Sequence, residues 1–227
     1  MLIRKILDAP ISICVESLYL ELGLVAISII LKSRRINYLH YLANLNPEEM
    51  LYNFFETQFK YPNKDDWTLH VKQDLDDFGI PGTLEFLRSK SINSFKRIVK
   101  MKTKEYALNY LLELKSKHTK LDNLVYTELR LQKYLKTDDI PVHEAKNLFR
   151  YRVKVADFKE NYGNRYEDKV CPLCTIHMDT QTHAVQCVQV KESVSVNGNY
   201  SDIFKEVIPR NISKTLYDIS KLREGLI

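Results

Sequence analysis

Cys171-Pro-Leu-Cys174 is followed eight residues later by His183 and, three residues further on, by Cys187, a C-x2-C-x8-H-x3-C pattern. Two thiolates separated by two residues can hold one ion from a tight turn, and Pro172 helps to preset that turn. A cap at Asp179 or Thr180 would start a short helix and place His183 and Cys187 at i and i+4 on one face. Four ligands with no vacant position predict a closed, tetrahedral, structural zinc site. Sites of this kind supply on the order of 10 kcal/mol of apparent folding free energy, so the module is expected to depend on its metal. His177 is the alternative to His183, but ten residues separate it from Cys187 and the helical pairing is lost. The competing reading is three buried or reactive cysteines beside a satisfied histidine.

Other chemistry is poorly supplied. Base deaminases join a Cys-x-x-Cys pair to an upstream His-x-Glu, whereas His143-Glu144 lacks the intervening residue and Val170 stands where a proline belongs. No Gly-x-Ser-x-Gly elbow, phosphate-binding Walker loop or His-Glu-x-x-His helix occurs. The acid pairs Asp65-Asp66, Asp76-Asp77 and Asp138-Asp139 read as helix caps or exposed helix positions. No catalytic residue, small-molecule substrate or enzyme activity is expected.

The positive charge is concentrated. The chain of 227 residues carries a net +5, yet residues 80–120 hold +7 and residues 45–79 hold −5. Between Phe86 and Lys104 there is no acid, while Arg88, Lys90, Lys96, Arg97, Lys100, Lys102 and Lys104 all fall there. If Ser91 caps a helix, Phe95, Ile98 and Val99 mark its buried stripe, and Arg97, Lys100 and Lys104 share another side. Such a face attracts a phosphate backbone through counterion release without reading sequence. Ordinary solvated surfaces interleave both signs. Arg34 and Arg35, beside Lys32, and Arg150 and Arg152, beside Phe149 and Tyr151, form smaller basic clusters.

The elements that position these groups read as mostly α: a helical bundle or linker, then a small CCHC zinc-knuckle module and a terminal helix. Apolar content of 44% and charged content of 28% are ordinary globular values, and six glycines are too few for an all-β chain. Residues 15–44 hold two apolar-periodic stretches hinged at Gly23. Asn46-Pro-Glu-Glu49 predicts a helix start, with Met50, Leu51, Phe54, Phe55 and Phe59 as its buried stripe. Asp65 or Asp66 caps a helix carrying Trp67, Val71, Leu75 and Phe78, which ends at the Gly79-Ile-Pro-Gly82 turn. Further helices are predicted near 83–89, 91–116, 121–136, 141–158 and 211–224. From about Asn161, Gly163, the close cysteines and Gly198 mark a loop-rich segment. The resulting division is 1–80, a helical thumb- or linker-like region; 81–160, a basic helical region; and 161–227, the knuckle with its terminal helix.

Three of the four cysteines lie close together and Cys14 stands alone, which suits metal better than a disulfide framework. Asp8, Pro10 and Glu16 interrupt what would be a signal-peptide core, and Leu22–Leu31 is far shorter than the roughly 20 residues of a membrane span. An intracellular protein, nuclear or cytoplasmic and without a membrane partner, is expected.

Glu16-Ser-Leu-Tyr-Leu-Glu-Leu-Gly23, Lys32-Ser-Arg-Arg-Ile-Asn-Tyr-Leu-His-Tyr-Leu42, Lys64-Asp-Asp-Trp67 and the Cys-Cys-His-Cys cluster together resemble the region after the polymerase core of non-LTR retrotransposon reverse transcriptases. The resemblance covers residues 1 to about 190. It implies a thumb and linker that grip template RNA or target DNA, with a knuckle at Cys171, Cys174, His183 and Cys187 that helps to position nucleic acid for target-primed reverse transcription. The departures concern catalysis. No aromatic-x-Asp-Asp occurs, since Asn63, Asp74 and Lys136 stand two residues before the acid pairs. Only 40 residues follow Cys187, where elements of this kind with a restriction-like nuclease carry that domain. Glu113-x-Lys115 fits a bare nuclease pattern but lies in a predicted helix.

The expectation is therefore a non-catalytic, zinc-containing protein that binds RNA or DNA through Lys90, Lys96, Arg97, Lys100, Lys102 and Lys104, with Arg34, Arg35, Arg150 and Arg152 as flanking contacts and Tyr162 or Tyr166 as a platform for a base. The alternatives are a zinc-stapled protein-interaction module using Phe54, Phe55, Phe59 or Trp67, and a truncated element fragment without independent activity.

Overall fold

The computed structural model describes residues 2–136, 138–162, 165–196, 198–205 and 207–225. Gly163, one marker of the loop-rich segment, lies outside them. The chain is mostly helical. In order the α-helices are α1 (Leu2–Ile6), α2 (Val15–Leu22), α3 (Ile27–Ala43), α4 (Met50–Lys60), α5 (Trp67–Asp77), α6 (Leu84–Ser89), α7 (Ile92–Lys115), α8 (Val142–Arg152), α9 (Gln181–Gln186), α10 (Val188–Ser193) and α11 (Arg210–Glu224). Among the described residues no helix is long and apolar enough to cross a membrane.

Two compact units result, one of residues 24–113 and one that joins residues 1–23 to 114–227. The sequence-based division at 80/81 and 160/161 follows changes in composition, whereas these units follow packing. The Ile80-Pro-Gly82 turn lies within the first of them.

In the unit of residues 24–113, α3 packs against α4, α5 and α6. Ile36 and Leu39 of α3, Phe55 of α4, Val71 and Leu75 of α5 and Leu87 of α6 are buried. Helix α7 adds Phe95, Val99, Thr103, Ala107 and Leu111, a strict four-residue repeat that keeps one stripe inward. Its first turn is capped as expected, with the Ser91 hydroxyl accepting from Ser94 N–H. The ring of His40 stacks on Phe95 with centroids 4.2 Å apart, and its Nε2 lies 3.0 Å from the Lys90 carbonyl.

Two expectations are corrected here. Helix α4 begins at Met50, because residues 46–49 close a separate turn: the Asn46 side chain accepts from Glu48 N–H and the Glu49 carboxylate accepts from Asn46 N–H. Its buried stripe is Tyr52, Phe55 and Phe59, and Met50, Leu51 and Phe54 are exposed. The helix is thus rotated away from the face that the apolar count favoured.

In the other unit α8 packs along α11. Ser213 donates to Glu144 at 2.8 Å, and Ser220 donates to Asn147 at 3.1 Å. The helix expected over 121–136 does not form. Only the single 3-10 turns Thr119–Leu121 and Lys133–Leu135 appear. The backbone instead pairs with the end of α2, through Gln132 N–H to the Glu21 carbonyl at 3.0 Å and a bridge between Leu22 and Leu131. Leu121, Leu124, Tyr126, Leu129 and Tyr134 are buried in this irregular path, so tertiary burial overrides helical spacing.

The close approach explains Gly23. It caps α2 at φ 64, and a Cβ there would fall 2.2 Å from the Arg130 carbonyl carbon. The helix expected over 141–158 stops at Arg152. Lys154 takes φ 53, and the amides of Val155 and Ala156 turn back to the Arg150 carbonyl, which lets Phe158 enter the core.

Candidate metal centre and basic helix

The segment around the first two cysteines doubles back on itself. Val170 and Met178 form an antiparallel bridge, Cys171 N–H donates to the His177 carbonyl at 2.8 Å, and Asp179 N–H donates to the Lys169 carbonyl at 2.7 Å. Thr175 takes φ 54 inside this loop, and its amide closes on the Cys171 carbonyl at 2.9 Å. That tight reversal gathers Cys171 and Cys174.

The second pair comes from α9. The Thr180 hydroxyl accepts from His183 N–H at 2.9 Å, so Thr180 and not Asp179 is the cap. Cys187 follows the last helical residue, and its amide bonds the His183 carbonyl at 2.7 Å, holding the two side chains one turn apart. Asp179 has a different task. Its carboxylate takes two bonds from Arg223 of α11, at 2.7 and 2.9 Å, and one from Lys159 N–H at 3.0 Å. The Arg223 guanidinium also lies over the Phe158 ring at 4.3 Å. Nothing in the local spacing marks Arg223 as a partner of this turn.

Donor atoms of Cys171, Cys174, His183 and Cys187 all lie within 4.8 Å of one another, and Cys174 Sγ is 3.3 Å from His183 Nε2. The cluster can hold a metal ion. Cys171 and Cys187 are buried, whereas Cys174 and His183 are half-buried. Burial pushes the Cys171 thiol up, while the His177 and Ile176 amides aimed at Cys174 lower its pKa to about 6. The His177 ring stands beside that of His183, with centroids 5.1 Å apart, and its carbonyl serves the turn.

The residues singled out for nucleic acid separate into two groups. Lys96, Arg97, Lys100 and Lys104 are exposed on α7 and, at 100° per residue, fall within roughly a 100° sector. None of the four makes an ion pair among the described residues. Arg34 is also exposed. The others are engaged. Lys102 pairs with Glu105 at 3.0 Å, Lys90 lies over the Phe86 ring at 5.3 Å, Arg35 pairs with buried Asp74 at 2.6 Å, and Arg150 pairs with Asp8 at 2.6 Å. Arg152 is enclosed with Glu21 and is 2% exposed, so it cannot belong to a surface contact. Tyr162 is half-buried, its hydroxyl donating to the Val155 carbonyl at 3.0 Å and its ring flanked by Arg165 and Lys120. Tyr166 is half-buried as well.

The chain matches no protein-family model, no curated protein and no solved structure.

Proposed function

We propose that this chain is a non-catalytic, zinc-containing nucleic-acid-binding protein, of the kind that follows the polymerase core in non-LTR retrotransposon reverse transcriptases. The observation that carries the reading is that Lys96, Arg97, Lys100 and Lys104, exposed on one side of α7, make no ion pair among the described residues. In the smaller clusters, by contrast, Arg35 pairs with Asp74 and Arg150 with Asp8. Positive charge exposed on one helix face suits a polyanion, and phosphates meet it without base recognition. Three sulfurs and one imidazole suit zinc, which braces the turn and α9 and takes no part in chemistry.

Filter binding of a mixed-sequence duplex and of a single-stranded RNA across a salt series tests this proposal. The logarithm of affinity should fall linearly with the logarithm of salt. Reversal of the four cations to glutamate should remove roughly 0.9 units of slope per lost phosphate contact on duplex DNA. Affinity insensitive to both salt and the reversal sinks the reading.

The exposure of Met50 at 72% and Phe54 at 61% favours a second reading, a zinc-stapled module whose α4 meets a protein. Nucleic acid that co-purifies with the chain, seen as a 260/280 nm absorbance ratio that drops on nuclease treatment, separates the two.

A further inference from the structure

Cys14 has company that its isolation in the chain conceals. It sits immediately before α2, Glu16 lies in the first turn of that helix, and His118 arrives from the stretch after α7. His118 Nε2 is 3.5 Å from Glu16 Oε2. The Cys14 sulfur, a Glu16 carboxylate oxygen and a His118 ring nitrogen all lie within 4.8 Å of one another. Although Cys14 holds the cap position of α2, its side chain makes no capping bond, and its carbonyl accepts from the Ser17 hydroxyl at 2.8 Å. Cys14 and Glu16 are half-buried, the His118 side chain is exposed, and Cys14 and His118 line a cavity of about 440 Å³.

We infer that Cys14, Glu16 and His118 form a second metal site, which takes a zinc-class divalent cation and leaves one position open to an exchangeable ligand from the cavity. Thiolate and imidazole select zinc or a neighbouring transition ion over magnesium or calcium, and the carboxylate supplies a third donor. Three protein ligands beside a cavity contrast with the closed set of four at Cys171, Cys174, His183 and Cys187. Both Cys14 and Glu16 are fixed by α2, so folding itself prepares two of the three donors.

The full chain, stripped of metal under reducing conditions, is titrated with Co²⁺ and then Zn²⁺, and bound metal is counted by mass spectrometry. Two equivalents per chain are expected. Cys14→Ala and His118→Ala should each lose one equivalent and retain the thiolate-to-cobalt absorption of the four-donor cluster, whereas Cys174→Ser should lose the other equivalent. Circular dichroism identical to that of the unaltered chain shows that the first two variants fold. A metal content in both Cys14→Ala and His118→Ala equal to that of the unaltered chain, whatever that content is, overturns the site and reduces it to an ion pair beside a thiol. Because the two sites are emptied by different variants, failure of one leaves the other readable.

Discussion

The Arg152 guanidinium donates through Nε and Nη2 to one oxygen of the Glu21 carboxylate, at 3.0 and 2.9 Å, across 131 positions of chain. Glu21 is fully buried, and its two oxygens also accept from Tyr126 and Tyr134 at 2.7 Å each. Arg152 further donates to the Ile203 carbonyl. Every strong polar atom of the pair is thus occupied, which is the condition under which buried charges are tolerated.

Removing one partner should therefore be costly. Glu21→Ala or Arg152→Ala leaves an uncompensated interior charge and should destabilise this unit by about 3–5 kcal/mol. Replacing both with apolar side chains of similar volume should cost much less. Urea denaturation of both singles and the double reads the coupling, and additive losses would contradict the pairing.

Metal removal should open the region around the cysteines. Chelation is expected to expose the 170–193 segment to limited proteolysis, with protection restored by zinc, because the turn and the short α9 and α10 have little core of their own. An unchanged digestion pattern would show that the cluster folds as three thiols and an imidazole without an ion.

Arg223 should govern how firmly that metal is held. It clamps Asp179, the residue before the cap of α9, and both side chains are buried. Arg223→Lys loses the bidentate geometry and should speed zinc transfer to a chromophoric chelator by roughly 10-fold, the lower end of the range for groups that support a ligand shell. Equal release rates in the variant and the parent would remove α11 from the account.

The buried tyrosines set an alkaline limit. Burial raises Tyr126, Tyr134 and Tyr200 well above the ordinary phenol value and Tyr151 to about 12. A pKa higher in the folded than in the unfolded chain means that the folded state keeps the proton longer. The associated stability is whole below pH of about 10 and is lost as pH rises towards 12. Spectrophotometric titration should show these four ionising late, in step with unfolding. A single step near pH 10 for all 14 tyrosines in a folded protein would be incompatible with this packing.

Local signals in the chain determined a good deal. The spacing of Cys171, Cys174, His183 and Cys187 defined the donor set, because two residues between thiols and one helical turn between His183 and Cys187 act over short distances. Ser91 capping α7, the acid-free run after Phe86 and the terminal helix were legible for the same reason. Tertiary structure decided what depends on residues far apart in sequence. It turned Met50, Leu51 and Phe54 outward, unwound 121–136 against the end of α2 and sent Asp179 to Arg223. It also withdrew Arg152 from the surface and brought His118 to Cys14 and Glu16. Periodicity records only that a side chain is apolar or charged at a given angle. Which neighbour meets it, and whether water is excluded there, is an energy that exists only once distant segments pack.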